Sequence, residues 1–454
     1  MSRRERRRFL SPDHRGLVLS PTDRLSLRES FKNLALVAPT GSGKTSKYVI
    51  PNLLDVQGSV VVTDPAGEIF AQTSGHLAER NFRLQVLRFG EVERSLRFNP
   101  LHYWQSPQKL RQLATILAFN HAGAQSDLFW ATSASNVLFF CLSALVNVPD
   151  KRFVNLANLR WLLNHLGAAR ETGVNSFMSR YLEAHDPRMF AEYLAFQAQD
   201  PRLLGSILSS ARASLELWSD PDVCQVTATD SVRLEGLRER FTAIYLIVPE
   251  HQIRYFSVLL NLFYSTCFAH CLDAPLHDDL LPVFFFLDEF GNLGRIENFA
   301  SIITTLRKRR CSVSVVLQEL SQLEAVYGSA DARTIFSGGC AHKLFLGGLD
   351  VETTQYLERA LGQSTEYDTT FGGVDERART LGVPLLRSDE IRMLQDDEGV
   401  LLSGRERPVK LRMLAHFRHQ PWQLLAQKPP APFPHGEKTP VVLFPLRSQS
   451  TEAR

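Results

Sequence analysis

A chain of 454 residues is long for one domain, and its length predicts two or three. Hydrophobic residues make up 44% and charged residues 22%, ordinary globular values for a chain that can bury its core without disulfides or a structural metal. The formal net charge of +3 is too small to indicate nucleic-acid binding by itself.

The chain begins with a basic extension, predicted to span residues 1–30. Its arginines fit either a solvated tail or a contact with phosphate or lipid headgroups; they are Arg3, Arg4, Arg6, Arg7 and Arg8. No apolar segment of signal-peptide type follows them. The longest apolar stretch, residues 255–272, includes Asn261 and His270 and therefore predicts a buried helix rather than a membrane span.

A buried strand is predicted at residues 33–37, followed by a glycine-rich loop and a helix. This order is the Walker A arrangement, and its candidate nucleotide-binding residues are Pro39, Thr40, Gly41, Ser42, Gly43, Lys44, Thr45 and Ser46. The glycines turn backbone N–H groups around a phosphate, and the helix adds its unpaired amides. We expect Lys44 to reach the β- and γ-phosphates of ATP, and the Thr45 hydroxyl to bind Mg²⁺. Ala38 stands where the usual motif has its first glycine, a change that the loop is expected to tolerate.

Two further strands are predicted at residues 58–63 and 83–88, in the alternation with helices that indicates a parallel sheet covered on both faces. Asp64 and Glu68 follow the first of these strands. Both are expected at the same sheet edge as the nucleotide, yet a turn that caps a helix explains them equally well.

The pattern changes over residues 105–224, where apolar residues fall at helical spacing and no strand is predicted. We interpret this segment as an inserted all-α domain. The six cysteines are scattered along the chain, mostly among apolar neighbours. They are predicted to be buried free thiols of a reducing cytoplasm rather than disulfides or a metal site.

Strands and helices alternate again after the insertion; strands are predicted at residues 241–248, 283–287, 312–317 and 343–346, helices at about 251–272, 296–309 and 351–361, and an edge hairpin at 398–414. Asp288 and Glu289 follow the second strand of this set. We expect Asp288 to hold the magnesium shell and Glu289 to orient or deprotonate the attacking water. Gln318 follows the next strand, where its amide can contact the γ-phosphate or that water. The alternatives are a helix cap for the acids and an ordinary surface position for Gln318.

The domain boundaries follow from these patterns. Residues 31–104 and 225–427 are predicted to form one nucleotide-binding motor domain, interrupted by the all-α domain at 105–224. Residues 428–454 are rich in proline and polar side chains and are predicted to be a poorly ordered tail.

Several segments occur in order across residues 30–415: APTGSGKT, IPNLL, VVTDPAGE, FNPL, FLDEFGNLG and LQELSQLEAVYG, with Asp127-Leu128-Phe129-Trp130 near the start of the helical insertion. The ordered set resembles the type IV secretion coupling ATPases of the TraG/TraD class. That resemblance implies an α/β fold, a RecA-like P-loop NTPase with a mainly parallel central sheet and an inserted all-α domain. It also implies that the family's nucleotide-site roles are kept by Lys44, Thr45, Asp288, Glu289 and Gln318.

The same resemblance implies a homo-hexameric ring that passes DNA or effector proteins to a type IV secretion channel. The expected partners are DNA, bound through its backbone rather than its bases, a relaxase or effector cargo, and the channel components. A basic residue of the neighbouring subunit usually completes such a site, and Arg307, Arg310 and Lys343 are the candidates. A solvated helix end or a position facing DNA explains the two arginines equally well.

Members of this class usually carry a membrane-spanning pair before the motor domain, whereas only residues 1–30 precede it here. We therefore expect a cytoplasmic protein whose membrane association is peripheral at most. Either a partner recruits it to the inner face of the plasma membrane, or it belongs to a soluble branch.

Three functions fit these features. The leading one is an ATP-hydrolysing coupling protein that recruits and translocates DNA to a type IV secretion or conjugation channel. The first alternative is a nucleotide-switched adaptor that recruits protein effectors without pumping DNA. The second is a soluble DNA-pumping ATPase unconnected with secretion, which the all-α insertion and the DPAGE and FNPL segments disfavour.

Overall fold

The computed structural model describes residues 1, 3–122, 128–167, 173–275, 277, 279–367 and 380–446. Asp127 of the family-like segment and the part of the predicted tail beyond Leu446 lie outside these residues.

The strands are β1 (Val18–Ser20), β2 (Asp23–Arg24), β3 (Leu34–Val37), β4 (Ser59–Asp64), β5 (Arg83–Leu87), β6 (Thr242–Ile247), β7 (Val283–Leu287), β8 (Cys311–Leu317), β9 (His342–Leu346), β10 (Gln363–Tyr367), β11 (Thr380–Pro384), β12 (Glu398–Ser403) and β13 (Glu406–Arg412). The α-helices are α1 (Arg3–Phe9), α2 (Leu27–Ser30), α3 (Ile50–Asp55), α4 (Glu68–Glu79), α5 (Pro100–Tyr103), α6 (Pro107–Ala122), α7 (Leu128–Val146), α8 (Leu156–His165), α9 (Val174–Met178), α10 (Pro187–Gln197), α11 (Pro201–Ala213), α12 (Pro221–Ala228), α13 (Ser257–Asp273), α14 (Phe299–Leu306), α15 (Leu320–Arg333), α16 (Val351–Leu361), α17 (Ser388–Arg392) and α18 (Gln420–Ala426).

One nine-stranded sheet organises the molecule, in the order β13-β12-β9-β3-β8-β7-β4-β6-β5. The strands from β9 to β5 are all parallel, and the β12–β13 hairpin adds an antiparallel edge. The parallel strands are short apolar runs, as expected for strands covered on both faces. The predicted α/β fold with a mainly parallel sheet is confirmed, and so is the predicted edge hairpin.

Alternate residues of the strands enter two hydrophobic cores on opposite faces of the sheet. Along β3, Leu34 and Leu36 pack into the first core, which also contains apolar residues of α3 and α4. Ala35 and Val37 pack into the second core, which contains apolar residues of α13 and of the helical insertion. The insertion therefore shares a core with one face of the sheet.

Helices and helical turns fill the described part of the insertion, from α6 to α12, without a strand. Its helix α7, Leu128–Val146, is the one described helix long and apolar enough to cross a membrane by length and composition. Of the window that meets this test, 67% is buried inside the protein, as in the core helix of a soluble protein. The stretch predicted as a buried helix forms α13, whose residues are buried from Leu259 to Phe268.

The N-terminal segment is not the solvated tail that the arginine cluster allowed. Its residues 3–9 form α1, and the Arg6 guanidinium makes a two-bonded ion pair with the buried carboxylate of Asp23 at 2.7 Å. Leu10 and Leu17 are buried in the first core. The described part of this segment is therefore a folded portion of the motor domain.

The prediction of a poorly ordered tail is wrong for residues 428–446, which we call the strap. The strap has no regular secondary structure, yet it runs against the protein surface with defined hydrogen bonds. The backbone N–H of Ala431 donates to the Ser74 hydroxyl at 3.0 Å, and that of Phe444 donates to the Asn158 side chain at 2.7 Å. Local composition did not predict this order because it depends on distant partners.

The prediction that the cysteines are buried is confirmed for five of the six. All six are free thiols, five of them buried and Cys224 partly buried. Burial raises the pKa of the Cys141 thiol to about 12, as it does for Cys340. These positions are therefore packing positions of the core.

Candidate nucleotide-binding site

The candidate site lies where three strands of the sheet end. The glycine-rich loop follows β3, the two acids follow β7, and Gln318 follows β8. The register pairs Val37 with Leu317, and Leu287 with Val315. Since these strands are parallel, their carboxyl ends meet at one edge of the sheet, where ligands of such sheets bind. Strand β8 lies between the other two and holds Gln318 between the loop and the acids.

The loop after β3 has the backbone geometry of a phosphate-binding loop. Gly41 and Gly43 have φ angles of +79° and +82°, which residues with a Cβ rarely adopt. Successive turns of this kind make a concave surface suited to an anion. The loop leads into a helical turn, Thr45–Val49, that continues as α3, so a helix amino terminus faces the same edge.

The two serine hydroxyls of the loop donate to the loop's own backbone. Ser42 Oγ donates to the Pro39 carbonyl at 2.6 Å, and Ser46 Oγ donates to the Gly43 carbonyl at 3.2 Å. Thr40 is exposed at the tip. These bonds fix the curve of the loop from within.

Lys44 occupies the inner side of this loop and is buried. Its ammonium donates to the carbonyl oxygens of Ala38 at 3.0 Å and Pro39 at 3.3 Å. It also lies 3.7 Å from Glu289 Oε1. A buried ammonium between loop carbonyls and a carboxylate is a cation that a phosphate can engage at this edge.

Thr45 and Asp288 come together from positions far apart in the chain. The Thr45 hydroxyl donates to Asp288 Oδ2 at 2.9 Å. Asp288 is almost fully buried, and burial raises the pKa of its carboxyl to about 6, against the opposing effect of the Thr45 hydrogen bond. A hydroxyl beside a carboxylate is the oxygen donor set that Mg²⁺ prefers.

Glu289 is held in an unusual backbone conformation at φ +54°, ψ +41°. Residues with a side chain rarely adopt this left-handed region, so the surrounding contacts must maintain it. Its Oε2 accepts from Gln318 Nε2 at 2.8 Å and from Asn292 Nδ2 at 3.3 Å. The Glu289 carboxylate is therefore aimed at the site by amides from two elements.

The structure thus brings Lys44, Thr45, Asp288, Glu289 and Gln318 into one connected cluster. Asp64, at the end of β4, belongs to a helix cap. It is buried, and its carboxylate accepts from the backbone N–H groups of Ile69 and Phe70 at 3.3 Å and 2.8 Å. Glu68 is exposed in the first turn of α4. The structure therefore favours the capping explanation of this turn.

The three basic candidates for a neighbouring site lie away from the chain's own loop. Arg307 and Arg310 precede β8, whose far end carries Gln318. Lys343 lies in the first half of β9, where its ammonium donates to the Cys340 carbonyl at 3.0 Å. Each therefore belongs to the amino-terminal edge of the sheet, and a role in a second subunit's site stays a prediction.

The sequence did not predict the contact that Lys47 makes with the glycine-rich loop. Lys47 is buried one turn after the glycine-rich loop, and its ammonium donates to the Ser42 carbonyl at 2.5 Å. It also donates to Asp396, to the carbonyl at 2.5 Å and to Oδ1 at 2.8 Å. This contact ties the loop to the segment before β12. The acidic run before the edge hairpin, residues 396–398, was the available signal.

A cleft lies between the helical insertion and the acid-bearing side of the site. Its volume is about 980 Å³, and its walls include Glu216 and Leu217 of the insertion, Asn292, and Ala325 and Val326 of α15. Asn292 is the residue whose amide bonds the catalytic candidate Glu289. The cleft therefore places the insertion beside the elements that hold the acids and the amide of the site.

Comparison with protein families gives one extended match. The family described as type IV secretory system conjugative DNA transfer matches residues 15–434. Protein VirD4 of Agrobacterium fabrum is 25% identical over 409 residues, covering 84% of this chain and 58% of the relative. A conjugal transfer protein TraG of Escherichia coli is 25% identical over 389 residues, covering 78% of this chain and 60% of the relative. The chain thus spans about 60% of the length of these relatives.

Solved structures show the same fold. The bacterial conjugative coupling protein TrwBdeltaN70, in its unbound form, superposes with a TM-score of 0.72 at 16% identity, over 91% of each chain. The plasmid coupling protein TrwB in complex with ADP and Mg²⁺ gives a TM-score of 0.72 at 16% identity, covering 91% of this chain and 93% of that one. The predicted RecA-like architecture is confirmed by this likeness.

Proposed function

This chain belongs to the type IV secretory system conjugative DNA transfer family, and from that membership we propose that it is an ATP-hydrolysing coupling protein that recruits DNA and moves it towards a type IV secretion channel. The observation that carries the proposal is the single cluster formed by Lys44, Thr45, Asp288, Glu289 and Gln318 at the carboxyl edge of the sheet.

The residues at this edge fit ATP with Mg²⁺. Two glycines at positive φ make the loop concave, and the buried Lys44 ammonium supplies a cation inside it. The adjacent oxygens of Thr45 and Asp288 would hold the metal. An Mg²⁺ ion held there would neutralise phosphate charge and orient the terminal phosphoryl group.

The protein's own part in hydrolysis follows from the cluster. Lys44 leaves its loop carbonyls to neutralise the phosphates, because a phosphate is a stronger partner for an ammonium than a neutral carbonyl. Glu289 accepts a proton from the attacking water, or orients that water, at its oxygen Oε1 or Oε2. The Gln318 amide donates to that carboxylate, and with nucleotide bound it would exchange this bond for one to the water or the γ-phosphate.

The contacts of Gln318 and Asn292 offer a route by which ATP hydrolysis is coupled to movement of the helical insertion. The backbone N–H of Gln318 donates to the Gln322 side chain at 3.1 Å, at the start of α15. Helix α15 and Asn292 both line the cleft against the helical insertion. A change in the Glu289 contacts during hydrolysis would therefore move the wall of the cleft that faces the insertion.

The partners follow from the family. We propose that DNA is bound through its phosphates, that the cargo is a relaxase-bound DNA or an effector, and that the active form is a homo-hexamer. Relatives named for conjugal transfer support this assignment. The protein acts at the cytoplasmic side of the membrane, in association with the secretion channel.

The test is steady-state ATP turnover with and without single- and double-stranded DNA. DNA should raise turnover, and rising salt should reduce the stimulation, since phosphate binding releases counterions. Lys44→Ala is the control that should remove turnover in every condition. Turnover that is lost in Lys44→Ala but indifferent to DNA would contradict DNA translocation and favour the nucleotide-switched adaptor.

A further inference from the structure

The strap, residues 428–446, connects the two faces of the sheet. Near its start, the Phe433 ring stacks on Phe70 of α4, with ring centroids 4.8 Å apart, and packs against the first core. Near its end, Phe444 packs against the second core, within the helical insertion. The strap therefore passes around the β5 edge and fastens the insertion to the motor domain.

The surface under the strap is shaped to receive it. A Cβ atom on Gly75 of α4 would lie 2.1 Å from the Pro429 carbonyl, so only glycine allows the strap to lie this close. Further along, a Cβ atom on Gly436 would lie 2.5 Å from the Val92 carbonyl. Gly436 donates its backbone N–H to the Glu93 carbonyl at 2.9 Å. A glycine on the motor domain and a glycine on the strap thus each allow close backbone approach. We call the surface under the strap, which includes Gly75 and the Val92 and Glu93 carbonyls, the track.

The end of the strap occupies an aromatic groove. The Phe444 ring is surrounded by the rings of Phe153, Phe177 and Tyr181, with centroids 5.2, 4.9 and 6.0 Å away. All three meet it edge-on, at 74°, 76° and 90°. This arrangement is favourable for aromatic pairs and selects a flat ring at this position.

Two side chains of α8 bind the main chain of the strap. Asn158 is fully buried; its Nδ2 donates to the Val442 carbonyl at 3.0 Å, and its Oδ1 accepts from the Phe444 N–H at 2.7 Å. The Trp161 indole N–H donates to the Phe444 carbonyl at 3.0 Å. The Asn158 amide thus pairs with an extended chain as a neighbouring strand would, and it needs no particular side chain at the positions it contacts.

We propose that this groove is a peptide-binding site for extended segments that carry a phenylalanine, and that the chain's own strap occupies it as an intramolecular ligand. A partner peptide of the same chemistry binds when the strap leaves, and its binding unfastens the helical insertion from the motor domain. The strap suits this exchange because Val442 and Leu443 beside the anchor remain 47% and 44% exposed. Tethering gives the strap a high effective concentration, so the groove is closed in the free chain.

The test measures binding of a fluorescent peptide with the sequence of residues 439–446 to the full chain by anisotropy. The wild-type chain should bind it weakly, because its own strap fills the groove. Phe444→Ala should vacate the pocket and bind the same peptide about ten- to a hundredfold more tightly, the range expected for burial of one phenylalanine ring. A peptide with alanine in place of the phenylalanine should not bind.

Two further variants isolate the groove. Leu443→Ala alters an exposed strap residue and should bind the peptide as weakly as wild type. Trp161→Phe added to Phe444→Ala keeps an aromatic body but removes the N–H, and it should weaken peptide binding about three- to tenfold.

Backbone hydrogen exchange gives a second measurement that needs no substitution. The Phe444 amide should be protected in the wild-type chain, and excess peptide should speed its exchange. Equal peptide binding by wild type and Phe444→Ala would overturn the intramolecular occupancy. A folded Phe444→Ala chain that does not bind the peptide would overturn the binding site itself.

Discussion

Two buried carboxyl groups at the carboxyl edge of the sheet have different partners. Asp288 accepts from a hydroxyl of the phosphate-binding loop, whereas Asp64 accepts from the backbone N–H groups of Ile69 and Phe70 at the start of α4. The sequence predicted both at this edge and assigned Asp288 to the magnesium shell, but it left Asp64 between a site contact and a helix cap. Their partners separate them, because a side chain saturated by a helix terminus is committed to capping.

The pH dependence of stability tests the capping role of Asp64. Burial raises the pKa of Asp64 from 3.8 to about 6. The folded protein therefore binds this proton more tightly than the unfolded chain. The resulting stabilisation is complete below the unfolded pKa and is lost as the pH rises through about 6.

Asp64→Asn keeps an oxygen for the Phe70 N–H and removes the titration. We therefore expect the variant's free energy of unfolding, relative to wild type, to improve by about 1–3 kcal/mol between pH 4 and pH 7. Denaturant unfolding of both proteins at the two pH values measures it. If the difference in unfolding free energy between Asp64→Asn and wild type is the same at pH 4 and pH 7, the Asp64 cap does not titrate in this range and the prediction is contradicted.

At the scale of elements, the edge hairpin is docked onto the loop by one buried ammonium. Lys47→Met preserves length and apolar bulk but removes the bonds to Ser42 and Asp396. We expect a loss of about 1–3 kcal/mol in unfolding free energy, because the partly buried hydrogen bonds from Lys47 to the Ser42 and Asp396 carbonyls and its ion pair with Asp396 are lost. Amide exchange in β12 should accelerate at the same time.

Lys410→Met is the matched control for this substitution. Lys410 lies on β13, is 53% exposed, and pairs with Glu398 at 2.7 Å. Exposed ion pairs contribute about 0–1 kcal/mol, so its stability should stay near wild type. Equal losses in the two variants would show that Lys47 has no special docking role.

The sequence predicted the parallel strands well because burial on both faces leaves an unbroken apolar run, as in β7. The site could be predicted for a related reason: its residues follow those strands directly. The unusual backbone of Glu289 and the Asn292 contact could not be predicted, since both depend on how distant elements meet.

Elements that depend on distant partners escaped sequence reasoning. The β1–β2 and β10–β11 pairs are short and lack a strong alternating pattern. The strap contains prolines and polar residues typical of a loose tail, yet Phe433 and Phe444 anchor it at both ends. Its order comes from the track and the groove, which lie on other parts of the chain.

At the scale of the whole molecule, the question is whether a second copy of the chain supplies a basic residue to the nucleotide site. Arg307, Arg310 and Lys343 lie at the amino-terminal edge of the sheet, away from the chain's own loop. If a neighbouring subunit supplies a basic residue to each site, turnover requires assembly.

ATP turnover per chain should therefore rise with protein concentration, in step with the assembly mass above the 51.3 kDa of one chain. Light scattering and turnover measured on the same samples test this. Turnover per chain that stays constant while the mass remains that of a monomer would contradict completion of the site by a neighbour.

At the scale of the whole molecule, coupling of hydrolysis to the helical insertion requires the Glu289 carboxylate to activate the water that attacks the bound nucleotide. Single-turnover ATP hydrolysis by Glu289→Gln and wild type measures this, with Glu319→Gln, an exposed neighbouring acid, as the matched control. Glu289→Gln should bind Mg²⁺-ATP within about threefold of wild type and hydrolyse it about 10²–10⁴-fold more slowly, while the control hydrolyses normally. Hydrolysis by Glu289→Gln near the wild-type rate would contradict the assignment of this edge as the hydrolytic site.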